Sequence, residues 1–138
     1  MADITVTAAN VAAASDAVVI SETAGAAVTI GQVVYKDTDD TWKLAITTST
    51  TTAGANGIGI ALTQSAADGQ PIQVQIGGSI NPGGTLTVGE IYVVSTNAAG
   101  GIAPEGDNGS TDYVTVLGVA STASNLKLKP IVSGAQVP

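Results

Sequence analysis

Short runs of β-branched residues, separated by glycine, asparagine and aspartate, most restrict the fold of this 138-residue chain. Valine, isoleucine and threonine are abundant, leucine is scarce and phenylalanine is absent. β-branched side chains pack well on a pleated surface and lose rotamer freedom in a helix. The sequence contains no long segment in which apolar residues recur with the period of an α-helix. The sequence therefore predicts an all-β fold, a compact small barrel or sandwich.

The strand candidates follow one another at short intervals. Pro71–Ile76 alternates most cleanly, and we expect Gln73 and Gln75 to face outward and the apolar residues inward. Gly77–Gly84 is predicted to be a turn-rich connection, and the Thr-rich segment 47–57 an exposed loop. The candidates are Ala17–Ser21, Ala26–Tyr35, Thr41–Ala45, Gly57–Thr63, Pro71–Ile76, Ile91–Ser95, Tyr113–Ala120 and Asn125–Ile131.

A weak internal repeat is also present. Thr29–Tyr35 resembles Thr87–Val93, and Gly59–Thr63 resembles Gly118–Thr122 at nearly the same offset along the chain. In each half, a glycine precedes one predicted strand. A second strand with the pattern Gly-x-Ala-x-Thr follows after a loop and is expected to run back alongside the first. The repeat predicts a pseudo-twofold β module. Coincidence is the alternative, because glycine, valine and threonine are common throughout the chain.

Residues 1–15 are predicted to form an extended N-terminal arm, and residues 16–138 a single β domain. Ile4 and Val6 alternate with polar residues, as in a strand. A strand at a chain terminus can add to the exposed edge of a partner's sheet. The alternative is that Ile4 and Val6 complete the chain's own sheet. The candidate partner-contact residues are Ala2, Asp3, Ile4, Thr5, Val6 and Thr7.

Charge and residue types argue against several classes of function. The net charge is −7, with four cationic residues, all lysine, and no histidine or cysteine. Nucleic-acid binding normally needs a basic surface. Histidine-assisted hydrolysis and zinc binding need side chains that this chain lacks. We therefore expect a non-enzymatic protein without a cofactor. A carboxylate pair is formally possible, but most acidic residues lie in turn-like segments.

The chain is expected to be made in the cytoplasm, since no basic segment and apolar run follow Met1. No apolar stretch approaches the length of a membrane span, so no membrane partner is expected. Charged residues make up only 11% of the chain. A surface with few charges is less soluble and associates more readily with other surfaces. Such a surface is expected to be covered in part by a partner.

The acidic run around Asp37, Asp39 and Asp40 is the candidate metal site, because carboxylates suit calcium. Counted from Asp37 as a calcium loop, however, Trp42 replaces the required glycine and Thr48 the final glutamate. The sequence favours a polar hairpin turn between two strands, and no metal site is predicted.

Three aromatic side chains are candidate interface anchors: Trp42, Tyr35 and Tyr92. Tryptophan and tyrosine are enriched in protein interfaces. The alternative is that Trp42 packs within the chain's own core or hairpin. The tyrosines fit strand ends equally well.

The segments Thr29–Tyr35, Gly57–Leu62, Thr87–Val93 and Asp112–Ala120 together resemble the capsid decoration, or cement, proteins of tailed phages. The resemblance covers most of the chain from Ala17 to Ile131 and is a pattern of glycines and strands rather than a catalytic signature.

The resemblance implies a structural virion protein that binds the outer surface of the capsid and stabilises it. It further implies a homotrimer, the major capsid protein as partner, and a terminal arm that reaches onto the capsid lattice. A tail- or fibre-associated binding module or a surface adhesin is the alternative. Glycan sites usually present aromatic platforms, and aromatic residues make up only 3% of this chain.

Overall fold

The structure, a computed structural model, describes residues 3–46, 57–107, 109 and 112–136. Within these ranges the protein is all-β, with two single-turn 3₁₀ helices, Ala8–Asn10 and Glu105–Asp107. No helix there has the length and apolar character needed to cross a bilayer. The strands are β1 (Val11–Ala13), β2 (Val18–Thr23), β3 (Val33–Lys36), β4 (Trp42–Leu44), β5 (Ile58–Ala61), β6 (Pro71–Pro82), β7 (Ile91–Val94), β8 (Ile102–Pro104), β9 (Tyr113–Ala120) and β10 (Leu126–Gln136).

The strands form one curled antiparallel sheet with the order β4-β3-β5-β6-β10-β9-β7-β8. The long strand β6 joins its two halves, because it pairs with β5 at Val74 and with β10 at Ile80. β1 and β2 also pair with β6. The sheet curls into a half-barrel, which confirms the predicted all-β barrel or sandwich.

The sheet order confirms the pseudo-twofold repeat. The first half has the order β4-β3-β5-β6, and the second half has the corresponding order β8-β7-β9-β10. In the first half, β3 pairs with β4, its hairpin partner, and with the return strand β5. In the second half, β7 pairs in the same way with β8 and with the return strand β9. Gly31 and Gly89, both at positive φ, form the turns that precede β3 and β7. The resemblance between Thr29–Tyr35 and Thr87–Val93 therefore reflects equivalent positions in the fold.

The predicted turn-rich connection after Ile76 is wrong, because β6 continues to Pro82. Gly78 lies within the strand at φ 80°, a conformation that side chains other than glycine rarely adopt. A Cβ atom at this position would also collide with the backbone carbonyl of Asp16. Glycine here bends the strand between the two halves of the sheet and does not end it.

The predicted outward orientation of Gln75 is also wrong, although that of Gln73 is confirmed. Gln75 is fully buried, whereas Gln73 is exposed. The Gln75 Nε2 amide donates hydrogen bonds of 2.9 and 3.0 Å to the carbonyl oxygens of Gly77 and Ser79. These carbonyls belong to the same strand, two and four residues beyond Gln75, and its long amide side chain reaches both.

The other strand predictions differ in accuracy. Tyr113–Ala120 is confirmed as β9. Ala26–Tyr35 is wrong in its first part, because the strand begins only at Val33, after a turn at Gly31. The short strands β1 and β8 were not predicted. The predicted Thr-rich loop lies outside the described residues, apart from Gly57.

Two apolar clusters fill the interior, and both are built mainly from β-branched residues and alanine. Burial of one such large aliphatic side chain contributes about 1.5–3 kcal/mol. The larger cluster contains Val33, Tyr35, Ala45, Ile58, Ile60, Ile80, Leu86, Tyr92, Val94, Ile102, Leu117, Ala120, Leu126 and Leu128. The smaller contains Ala24, Val28, Val34, Trp42, Ala61, Ile72 and Val74.

Candidate functional site

The segment Asp3–Thr7 lies against its own chain in the structure. The backbone N–H of Ile4 donates to the carbonyl oxygen of Ile102 in β8, at 2.9 Å. The N–H of Thr7 donates to the carbonyl oxygen of Gly83, also at 2.9 Å. The Ile4 side chain packs against the larger apolar cluster. The segment is therefore attached at both ends.

The Asp3 carboxylate forms the polar part of this attachment. It accepts hydrogen bonds from the Ser95 hydroxyl at 2.6 Å and from the Asn97 side-chain amide at 3.1 Å. Ser95 is fully buried and also accepts a bond from the Asn97 backbone. A Cβ atom at Gly101 would lie 2.5 Å from Asp3 Oδ2, so glycine is needed there for the carboxylate to approach. The contact joins residues more than ninety positions apart.

The partner-contact candidates therefore divide into two groups. Asp3, Ile4 and Val6 are partly buried against the chain, as in the alternative in which the segment completes its own fold. Thr5 and Thr7 are exposed. Ala2 lies outside the described residues. Contact between this segment and a partner stays a prediction.

The aromatic candidates Trp42, Tyr35 and Tyr92 lie in the interior and retain 2%, 8% and 3% of their accessible surface. The Tyr92 hydroxyl accepts a hydrogen bond of 2.9 Å from the Thr87 N–H. The Trp42 indole N–H is buried without a hydrogen-bond partner among the described residues. Other residues therefore contribute most of the exposed surface available to a partner.

The acidic run forms a hairpin turn between β3 and β4, as the sequence favoured. The Lys43 ammonium lies 2.7 Å from Asp37 Oδ2 and 3.3 Å from Asp39 Oδ2. The hydrogen bond from Lys43 holds the pKa of Asp37 below its ordinary value, and that from the Thr41 hydroxyl does the same for the pKa of Asp39. The pKa of Lys43 is raised, chiefly by its hydrogen bond to Asp37. Within the described ranges, no cluster of three or more acidic side chains could hold a metal ion.

Large apolar side chains are exposed at several places on the sheet. Sequence analysis did not single them out. Val119 alternates with buried neighbours, whereas Val18 and Val19 are consecutive residues of β2, and Val88 lies in the turn before β7. In β10, for example, buried Leu126 and Leu128 alternate with exposed Lys127 and Lys129, and the next exposed position is Ile131. The exposed fractions are 51% for Val18, 41% for Val19, 64% for Val88, 42% for Val119 and 55% for Ile131.

The chain matches no protein-family model, and no curated protein is significantly similar to it. The fold and the exposed residues define an all-β protein with a charge-poor, partly apolar surface.

Proposed function

We propose that this protein is a structural virion protein that binds the outer surface of a phage capsid and stabilises it. The proposal is based on the exposure of Val18, Val19, Val119 and Ile131 on the sheet, and of Val88 in the turn before β7, in a chain with only 11% charged residues. The pattern of strands and glycines that resembles the capsid decoration proteins supports the same function.

The physical argument concerns burial and repetition. Covering exposed apolar surface stabilises a complex by about 25 cal/mol for each Å² removed from water. A single small apolar contact gives weak binding, because the entropy lost on association offsets most of its free energy. On a symmetric shell the same contact recurs many times, and linked binding events strengthen one another. A small all-β protein can therefore stabilise a shell without any catalytic group.

The proposed partner is the major capsid protein, and the proposed assembly is a homotrimer on the outer face of the shell. The exposed Thr5 and Thr7 would contact the lattice, while the Asp3 carboxylate holds the segment on its own domain. A net charge of −7 suits the outside of a particle, away from packaged nucleic acid.

Binding to empty expanded heads tests the proposal. The heads are assembled from a tailed-phage major capsid protein, mixed with purified protein and sedimented. We expect saturable binding, a copy number that is a multiple of three at each local threefold position, and greater resistance of the heads to heat. Absence of binding, together with specific attachment to cells or polysaccharide, would favour the tail- or fibre-associated module.

Removal of residues 1–9 tests the segment separately. Because Ile4 packs on the core, the truncated chain must first be shown by circular dichroism to keep its β fold. We expect the truncated chain to bind heads more weakly than the full chain. Equal binding would show that the lattice contact lies elsewhere on the domain.

A further inference from the structure

The outer surface of β9 and β10 combines apolar and basic side chains. Lys127 lies directly opposite Val119 in the sheet, so the two side chains share a face. Lys129 and Ile131 follow at the next exposed positions along β10. Val119 and Ile131 keep 42% and 55% of their surface accessible. These four residues are called the β9–β10 face below.

The two lysines of this face differ in their ion pairing from the other two lysines of the chain. Lys43 lies within 3.3 Å of two carboxylates, and Lys36 lies 3.7 Å from Asp40. No ion pair to Lys127 or Lys129 is found among the described residues. The chain has a net charge of −7 and four lysines, and two of these lysines lie on one strand without an ion pair to any residue that the structure describes.

A groove of about 490 Å³ runs beside the lysines, between β6 and β10. Ile76, Leu128 and Pro130 provide its apolar lining. Asp16 is the acidic residue at the groove, and its carboxylate already accepts a 3.0 Å hydrogen bond from the Ser79 N–H. The groove therefore places apolar surface directly beside two basic side chains.

We propose that the β9–β10 face is a surface that docks on the shell, in addition to the N-terminal segment, and that it recognises an acidic, partly apolar patch of the major capsid protein. The inference rests on the proposed function. Val119 and Ile131 would lose water on docking, and Lys127 and Lys129 would select carboxylates on the partner. Twofold pairing of this face with a second copy would set lysines against lysines, which is unfavourable.

The test compares two variants that lower the net charge equally. K127Q/K129Q removes the lysines of the face. Q64E/Q73E adds two carboxylates at exposed positions elsewhere, one in the loop after β5 and the other on β6. Binding to empty expanded heads is measured by sedimentation at low and high salt. K127Q/K129Q loses two ion pairs of the strength usual for exposed pairs, so we expect its affinity for heads to fall about tenfold. Q64E/Q73E should bind heads like the unmodified protein.

Two further measurements make the result specific. K127R/K129R keeps the charge and should retain binding, and high salt should weaken the unmodified protein more than K127Q/K129Q. Unfolding midpoints show that each variant is folded. If K127Q/K129Q binds as tightly as the unmodified protein, the assignment of this face is wrong, while decoration itself stands.

Two other outcomes would also overturn the assignment. If the unmodified protein fails to bind heads, the decoration proposal fails and the docking surface with it. If K127Q/K129Q loses self-association in solution but still binds heads fully, the face belongs to a second copy of this chain and not to the shell.

Discussion

Gly59 and Gly118 occupy equivalent positions in the two halves of the sheet, on the return strands β5 and β9. The backbone of the next strand approaches both glycines closely. A Cβ atom at Gly59 would lie 2.6 Å from the carbonyl oxygen of Gln75, and a Cβ atom at Gly118 would collide with the carbonyl of Lys127. Close strand approach therefore explains why both halves of the repeat have glycine at this position.

Substitution of either glycine by alanine should destabilise the fold. In Gly118→Ala the added methyl group has no space unless β9 and β10 separate, and we expect a loss of about 1–3 kcal/mol in the free energy of unfolding. Gly59→Ala should behave in the same way. Gly77→Ala is the matched control, because its Cβ would make only ordinary contacts with Val18, at 3.6 Å. Urea unfolding measures all three, and an equal loss at Gly77 would contradict the explanation.

The Asp3 carboxylate should stabilise the attachment of the N-terminal segment. Asp3→Ala removes the acceptor of the buried Ser95 hydroxyl and of the Asn97 amide. Loss of hydrogen bonds to a charged group should cost about 1.5–3 kcal/mol and expose the segment to protease. Asp68→Ala, at an exposed position, is the control. Equal proteolysis of the two variants would show that Asp3 does not hold the segment.

The repeat and most strands could be predicted because they depend on local patterns. The β-branched run Tyr113–Ala120 and the glycines of Thr29–Tyr35 and Thr87–Val93 are visible without knowledge of tertiary contacts. The course of β6 could not be predicted in this way. Two adjacent glycines indicate a turn, and only pairing with β10 shows that the strand continues through them.

The candidate site was harder to predict than the fold. An alternating terminal strand has the same sequence whether it pairs with its own chain or with another. The contact from Asp3 to Ser95 and Asn97 joins distant positions with no shared motif. Lys127 and Lys129 lie within the predicted strand Asn125–Ile131, but the sequence does not show that they form no ion pair among the described residues, which depends on the tertiary structure. Such relationships have no local sequence signal.

The β3–β4 hairpin should lose stability in acid. The pKa of Asp37 is lowered in the folded chain, chiefly by the hydrogen bond from Lys43. A lowered folded pKa stabilises the fold above the pKa of the unfolded chain, and this stabilisation disappears as the pH falls through the folded value. The stability advantage of the unmodified protein over Lys43→Gln, present at pH 7, should therefore shrink below roughly pH 4. Thermal unfolding across this range measures it.

Lys129→Gln provides the control for the hairpin, because Lys129 has no ion pair among the described residues. Its difference in stability from the unmodified protein should vary little between pH 7 and the acidic range. If Lys129→Gln and Lys43→Gln show the same pH dependence, overall charge and not the hairpin contact determines the acid response.

Gln75 should tolerate a negative charge far less than its neighbour Gln73. The Gln75 amide donates to two backbone carbonyls in a fully buried position, and Gln75→Glu would replace this donor with a carboxylate that repels both. We expect a loss of about 3 kcal/mol or more at pH 7. Burial raises the folded pKa of the new carboxyl group, so the loss should diminish as the pH falls toward its unfolded pKa, where the protonated group can donate again. Gln73→Glu, exposed on the same strand, should be nearly neutral. Similar urea midpoints for the two variants would contradict the buried position of Gln75.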